Sequence, residues 1–79
     1  MPEKTTLERF SGVALRDTRE AAGLTLRQLA DAMEKYTGDS VGVATVGEWE
    51  REKYEPRVSD LLAIAKVLHK EPSHFFVKK

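Results

Sequence analysis

Seventy-nine residues is the length of one domain, and a chain this short buries only about 60% of its unfolded surface, so its core must be efficient. The absence of cysteine excludes disulfides and thiolate metal sites. No apolar run approaches the roughly 18 residues of a membrane span, and Met1 to Phe10 is too polar for a secretory signal, so a cytoplasmic protein is expected. The 13 basic and 13 acidic groups cancel, but unevenly. Residues 1–30 hold five basic and four acidic groups, residues 31–55 three and seven, and residues 56–79 five and two. A nucleic-acid partner would need that distribution, not the sum, to present basic groups on one face.

Residues 1–11 read as an arm that Leu7 and Phe10 tether to the core, ahead of a domain spanning 12–79. Beyond it helix signals dominate and strand signals are nearly absent. Ser11-Gly12 precedes a run from Val13 to Ala22 in which Leu15, Arg19 and Ala22 share a face, and Gly23 supplies a left-handed stop. Thr25 is a good N-cap for a second helix, whose Leu26, Leu29, Ala30 and Met33 form a stripe at i, i+3, i+4 and i+7. Tyr36-Thr37-Gly38-Asp39-Ser40 is a breaker cluster that ends this helix near Lys35 or Tyr36. A third helix is expected from Gly42 or Val43 to Arg51. Thr45 is an alternative start, because Thr45 and Glu48 have the spacing of a capping box.

Pro56 closes the next loop. Val58, Leu61, Leu62, Ala65 and Leu68 then carry a fourth helix to about His69, and Pro72-Ser73 opens a last turn bearing Phe75 and Phe76. The spacing predicts a core of Leu15, Leu24, Leu29, Ala30, Val46, Trp49, Leu61, Ile64, Ala65, Leu68 and Phe75. Several short helices joined by brief turns predict a compact all-α domain.

Arg19, Gly23-Leu24-Thr25, Leu29-Ala30, Trp49-Glu50-Arg51, Pro56 and Leu61 to Leu68 form a spaced set. This set resembles the Cro/CI-type (Xre-like) helix-turn-helix family of bacterial and phage transcriptional regulators, over residues 13 to 76. The resemblance implies a five-helix, lambda-repressor-like fold in which the second and third helices form the helix-turn-helix. It implies double-stranded DNA as partner, and it pairs Arg19 with Glu50 as a structural ion pair. It places base contacts on Val43, Ala44 and Glu48, with Thr45 and Gly47 nearby. Phosphate contacts fall on Thr25, Arg27 and Gln28 at the start of the second helix, and on Arg51, Lys53, Tyr54 and Arg57 after the third.

The residues at those positions are unusual readers. Val43 and Ala44 offer apolar contact suited to a thymine methyl, Thr45 can bond a base or a phosphate, and Glu48 could accept from cytosine N4. Gly47 inside a helix costs about 1 kcal/mol relative to Ala, which implies a close approach to DNA or to a packed neighbour. The connection from Ala30 to Glu50 is also several residues longer than the family pattern. Glu34 to Val41 must hold that insertion, as an extra turn of the second helix or as a wider loop. An outward loop is expected, because Val46, Trp49 and Glu50 keep their spacing.

Two functions follow from these readings. The first is a sequence-specific DNA-binding regulator, a repressor acting as a homodimer, with Phe75, Phe76 and Val77 as a candidate apolar dimer patch. The second is a helix-turn-helix used as a protein-interaction module, such as an antitoxin, which the acidic middle third and the apolar Val41-Gly42-Val43-Ala44 favour. His69 and His74 flank a helix break, so a shared metal is not expected and His69 is better placed as a helix cap. No nucleophile–base set or phosphate-cradling loop is present, so neither enzyme activity nor a cofactor is expected.

Overall fold

The computed structural model describes residues 8–78. Its elements are β1 (Glu8–Phe10), α1 (Gly12–Ala21), α2 (Leu26–Thr37), α3 (Val43–Glu50), α4 (Val58–Leu68), a 3₁₀ turn (Pro72–Phe75) and β2 (Phe76–Lys78). The expected five helices are therefore four helices and one 3₁₀ turn. The last segment is too short, once Pro72 opens it, to wind into a full α-helix.

Each helix starts and stops for a local chemical reason. Ser11 caps α1, its hydroxyl oxygen accepting from the Ala14 N–H at 3.1 Å. Thr25 caps α2 in a reciprocal capping box: its hydroxyl accepts from the Gln28 N–H at 3.0 Å, and Gln28 Oε1 accepts from the Thr25 N–H at 2.9 Å. At the other ends, α1, α3 and α4 all close with the same paired bonds. The Leu24, Lys53 and Lys70 N–H groups donate to the Arg19, Glu48 and Ala65 carbonyls, while Gly23, Glu52 and His69 donate to Glu20, Trp49 and Lys66. The residue in the left-handed conformation is Gly23 in α1, but Glu52 (φ 61°) in α3 and His69 (φ 57°) in α4.

The core is the meeting line of these helices. Leu15, Leu29, Met33, Val46, Ile64 and Phe75 are fully buried, with Phe10, Ala30, Trp49, Leu61, Ala63, Ala65 and Leu68 around them. Leu24 is only partly buried and packs against the edge of this cluster. Burying one such large side chain contributes about 1.5–3 kcal/mol, so most of the chain's apolar residues serve the fold.

Two features depart from the expected all-helical plan. Glu8–Phe10 and Phe76–Lys78 pair as an antiparallel ribbon with Phe10 opposite Phe76. Their rings meet edge-on at 6.2 Å between centroids, and the Ser11 N–H donates to the Phe75 carbonyl at 2.7 Å. Strands of three residues carry too little alternation to register as a pattern; they exist because the two chain ends lie side by side. Leu7, expected to help tether the arm, lies outside the described residues, whereas Phe10 is buried.

The second departure is the insertion. Glu34 to Thr37 continue α2, and only Gly38–Gly42 loop across to α3, so the outward loop is shorter than expected. Tyr36 and Thr37 extend the helix until Gly38, in the left-handed conformation at φ 77°, ends it with its N–H bonded to the Glu34 carbonyl at 2.8 Å.

The C-terminal turn is also tied to α1. The Thr18 hydroxyl donates to the Ala14 carbonyl at 2.7 Å, so in its 3.1 Å contact with His74 Nε2 the imidazole must be the donor. Among the described residues, no helix is long and apolar enough to cross a membrane.

Candidate nucleic-acid interface

The outer face of α3 is held from behind by two pegs and a lock. Val46 and Trp49 are the pegs, buried against α2 and the core. The lock is Arg19 of α1. Its Nε donates to Glu50 Oε2 at 2.6 Å and its Nη2 to Oε1 at 3.1 Å, while Nη1 donates to the Leu24 carbonyl at 2.8 Å. Both side chains are largely withdrawn from water, at 11% and 7% exposure. The hydrogen bond to Glu50 raises the Arg19 pKa above its ordinary value, against the opposing pull of burial, so the guanidinium stays charged.

A second junction lies two residues further on, just past the end of α3, and nothing in the sequence singled it out. Glu52 accepts from the Gly12 N–H at 2.8 Å and from Arg9 Nη1 at 2.9 Å, so it ties the end of α3 to the first turn of α1 and to β1. The Gly12 hydrogen bond, helped by the Arg9 charge, holds its carboxyl below the ordinary value despite partial desolvation. The two chain segments also touch directly. A Cβ on Gly12 would lie 2.2 Å from the Glu50 carbonyl oxygen, so only glycine lets α1 approach the end of α3 this closely.

With its back fixed, α3 turns Ala44 and Thr45 fully outward, leaves Val43 and Glu48 half-buried, and buries Gly47. No capping box forms between Thr45 and Glu48, because Gly42 is the N-cap and Thr45 already lies within the first turn. At Gly47 the close approach is to the protein itself. A Cβ there would lie 3.2 Å from Arg51 Nη1 and 4.0 Å from Leu26 Cδ1. These contacts bring the N-terminus of α2 and the Arg51 guanidinium to the same part of α3.

The expected phosphate-contact residues are all exposed. Thr25, Arg27 and Gln28 are exposed at the start of α2, where unpartnered N–H groups and the helix dipole favour an anion. With Gln28 Oε1 held by the capping box, its amide nitrogen is the donor left for a ligand. Arg51, Lys53, Tyr54 and Arg57 are exposed at the end of α3 and in the loop after it. The Lys53 ammonium sits over the Tyr54 ring at 5.8 Å, and Arg57 makes only a long 3.5 Å contact with Asp60. The acidic middle third is partly spent internally, since Glu50 and Glu52 answer Arg19, Arg9 and a backbone N–H. Among the described residues, no group of three or more histidine or carboxylate side chains could hold a metal ion.

Two helices joined by a short loop, the second presented outward and braced from behind, are the geometry of a helix-turn-helix domain. The helix-turn-helix family model matches residues 15–75, and the chain belongs to this Cro/CI-type (Xre-like) family. No curated protein matches the sequence. Among solved structures it is similar to the P22 c2 repressor protein, crystallised in complex with a synthetic operator in the presence of Tl+. The two share 28% identity over 85% of this chain and 92% of the other, with a TM-score of 0.64.

Proposed function

We propose that this chain is a sequence-specific DNA-binding transcriptional regulator that lays α3 in the major groove. The observation that carries the reading is the sorting of charge around α3. Arg27, the α2 N-terminus and the Arg51 guanidinium come together against α3, and Lys53 and Arg57 are exposed in the segment that follows it, while Glu50 is turned inward and Glu52 is taken up by Arg9 and the Gly12 N–H. Phosphate contacts from these groups would set the protein's register on the duplex, leaving Val43, Ala44, Thr45 and Glu48 to face base edges. Gly47, buried under Arg51, would contribute by letting α2 and α3 close together. Likeness to a repressor protein crystallised in complex with a synthetic operator supports the same partner.

We further propose that it acts as a repressor and a homodimer, with two copies of α3 about 34 Å apart on a two-fold site. Of the apolar C-terminal residues, Phe75 is consumed by the core and Phe76 by its contact with Phe10, which leaves Val77 exposed for such a contact. The protein-interaction reading has less to rest on, because Val41 packs against the core and Val43 is half-buried. Selection from a random duplex pool tests the proposal. The expected result is an enriched palindrome with half-sites one turn apart, and an affinity that falls steeply as salt rises. Salt-insensitive binding with no enriched sequence would overturn it.

A further inference from the structure

We infer that Glu48 is a specificity-determining residue that works mainly by rejecting wrong bases, and that its preferred partner is the exocyclic amine of a cytosine. The inference rests on the DNA-binding reading above.

Glu48 follows Ala44 by four residues and Thr45 by three, so all three share the outward face of α3. Its neighbours in sequence, Glu50 and Glu52, are neutralised by Arg19 and by Arg9 with the Gly12 N–H. Among the described residues, Glu48 makes no ion pair and no side-chain hydrogen bond. The cation on its own helix border, Arg51, is laid over Gly47 instead.

A carboxylate carried unpaired into the major groove meets acceptors nearly everywhere. Phosphates repel it, and so do guanine N7 and O6, adenine N7 and thymine O4. Only the amines of cytosine and adenine donate. In adenine the donor stands beside N7, which would face the second carboxylate oxygen. In a cytosine–guanine pair the amine has the guanine O6 on one side only and the C5–H edge of cytosine on the other, so the second oxygen can lie over C5–H, whereas adenine's amine is flanked by acceptors on both sides. Specificity built this way penalises the wrong partner more than it rewards the right one.

The sign of the consequence is opposite to that of an ordinary contact. Glu48→Gln keeps the size of the side chain and removes its charge. Its binding to random-sequence duplex should tighten by roughly two- to fivefold, the effect of relieving one partly screened like-charge contact. Because glutamine pairs with adenine N6 and N7, one column of the selected site should change from cytosine towards adenine, against a wild-type preference of about tenfold.

Parallel selections with the wild-type chain and with Glu48→Gln, plus titration of random duplex at fixed salt, decide the matter. The inference stands if one column changes and random duplex is bound more tightly. It falls if the wild-type chain enriches a site whose columns are indifferent to Glu48→Gln, or if the variant binds random duplex more weakly. If the wild-type chain enriches nothing, the regulator reading falls and takes this inference with it.

Discussion

The two helices of the helix-turn-helix motif are built on different principles. α2 specifies itself. It has a capping box at one end, a left-handed glycine at the other, and an apolar stripe of Leu29, Ala30 and Met33 buried along its length. α3 has no side-chain cap, a glycine in its interior and a left-handed glutamate at its end. Its eight residues could not hold a helix alone, since isolated helices shorter than about 12 residues are marginal in water. What holds α3 is its neighbours: Val46 and Trp49 in the core, Arg19 on Glu50, and Glu52 on Gly12 and Arg9. The element that faces the ligand is thus kept free of local constraints on its outer residues, and the rigidity is supplied from behind.

That contrast can be broken most directly at the Arg19–Glu50 lock. Glu50→Ala leaves a guanidinium buried without its partner and should cost about 3–5 kcal/mol in chemical denaturation. A Glu50→Ala, Arg19→Ala double-mutant cycle should return a strong coupling. Loss of under about 1 kcal/mol would mean that α3 is held by its apolar pegs alone. Next in size, Gly12→Ala drives a methyl into the Glu50 carbonyl and should destabilise by about 1–3 kcal/mol, near the upper figure because the obstructing atoms are backbone. A neutral Gly12→Ala would show that α1 can draw back from α3 at little cost.

Smaller effects test the self-specified helix. Thr25→Ala removes one half of the capping box and should lower the stability of the fold by about 1 kcal/mol. Amide exchange should report the loss in the first turn of α2, with α3 protected as before. Equal loss of protection in both helices would erase the distinction between them.

The smallest effect is pH-dependent and belongs to Glu52. Its carboxyl in the folded protein lies below its ordinary value of 4.5, so its contribution is complete above that value. As pH falls through the depressed folded value the carboxyl protonates and the contribution is lost. Glu52→Gln should therefore lower the neutral-pH plateau, leave the stability at the lowest pH little changed, and so flatten the acid limb of the profile. An unchanged acid limb would remove Glu52 as a stabilising link between α1 and α3.

Much of this was legible in the residues. Ser11, Thr25, Gly23 and Gly38 mark helix ends by short-range chemistry, and the core positions Leu15, Leu29, Val46, Trp49, Ile64 and Phe75 followed from spacing. The left-handed His69 sat where a cap was expected, whereas Gln28, read only as a phosphate contact, turned out to be the capping partner of Thr25. What was missed lies between residues far apart in sequence. The Glu52–Gly12 bond spans 40 positions and the Thr18–His74 contact spans 56, and no local pattern announces either. A carboxylate just past a helix end would ordinarily be read as solvated. Only the approach of α1, permitted by the missing side chain at Gly12, turns it into an anchor.

The extent of α2 shows the same division. Tyr36 and Thr37 are weak helix formers beside a glycine, and the sequence stops there; yet in the structure both continue the helix. The Lys66 ammonium of α4 stands over the Tyr36 ring at 5.7 Å, so the last turn has a tertiary neighbour. The caps, the stripes and the helical order were settled by interactions among residues a few places apart, whose geometry follows from the chain itself. The length of the insertion's helix, the terminal ribbon, the Glu52 anchor and the direction in which α3 faces were settled only by packing. Those depend on which surfaces meet, and short-range spacing does not contain that information.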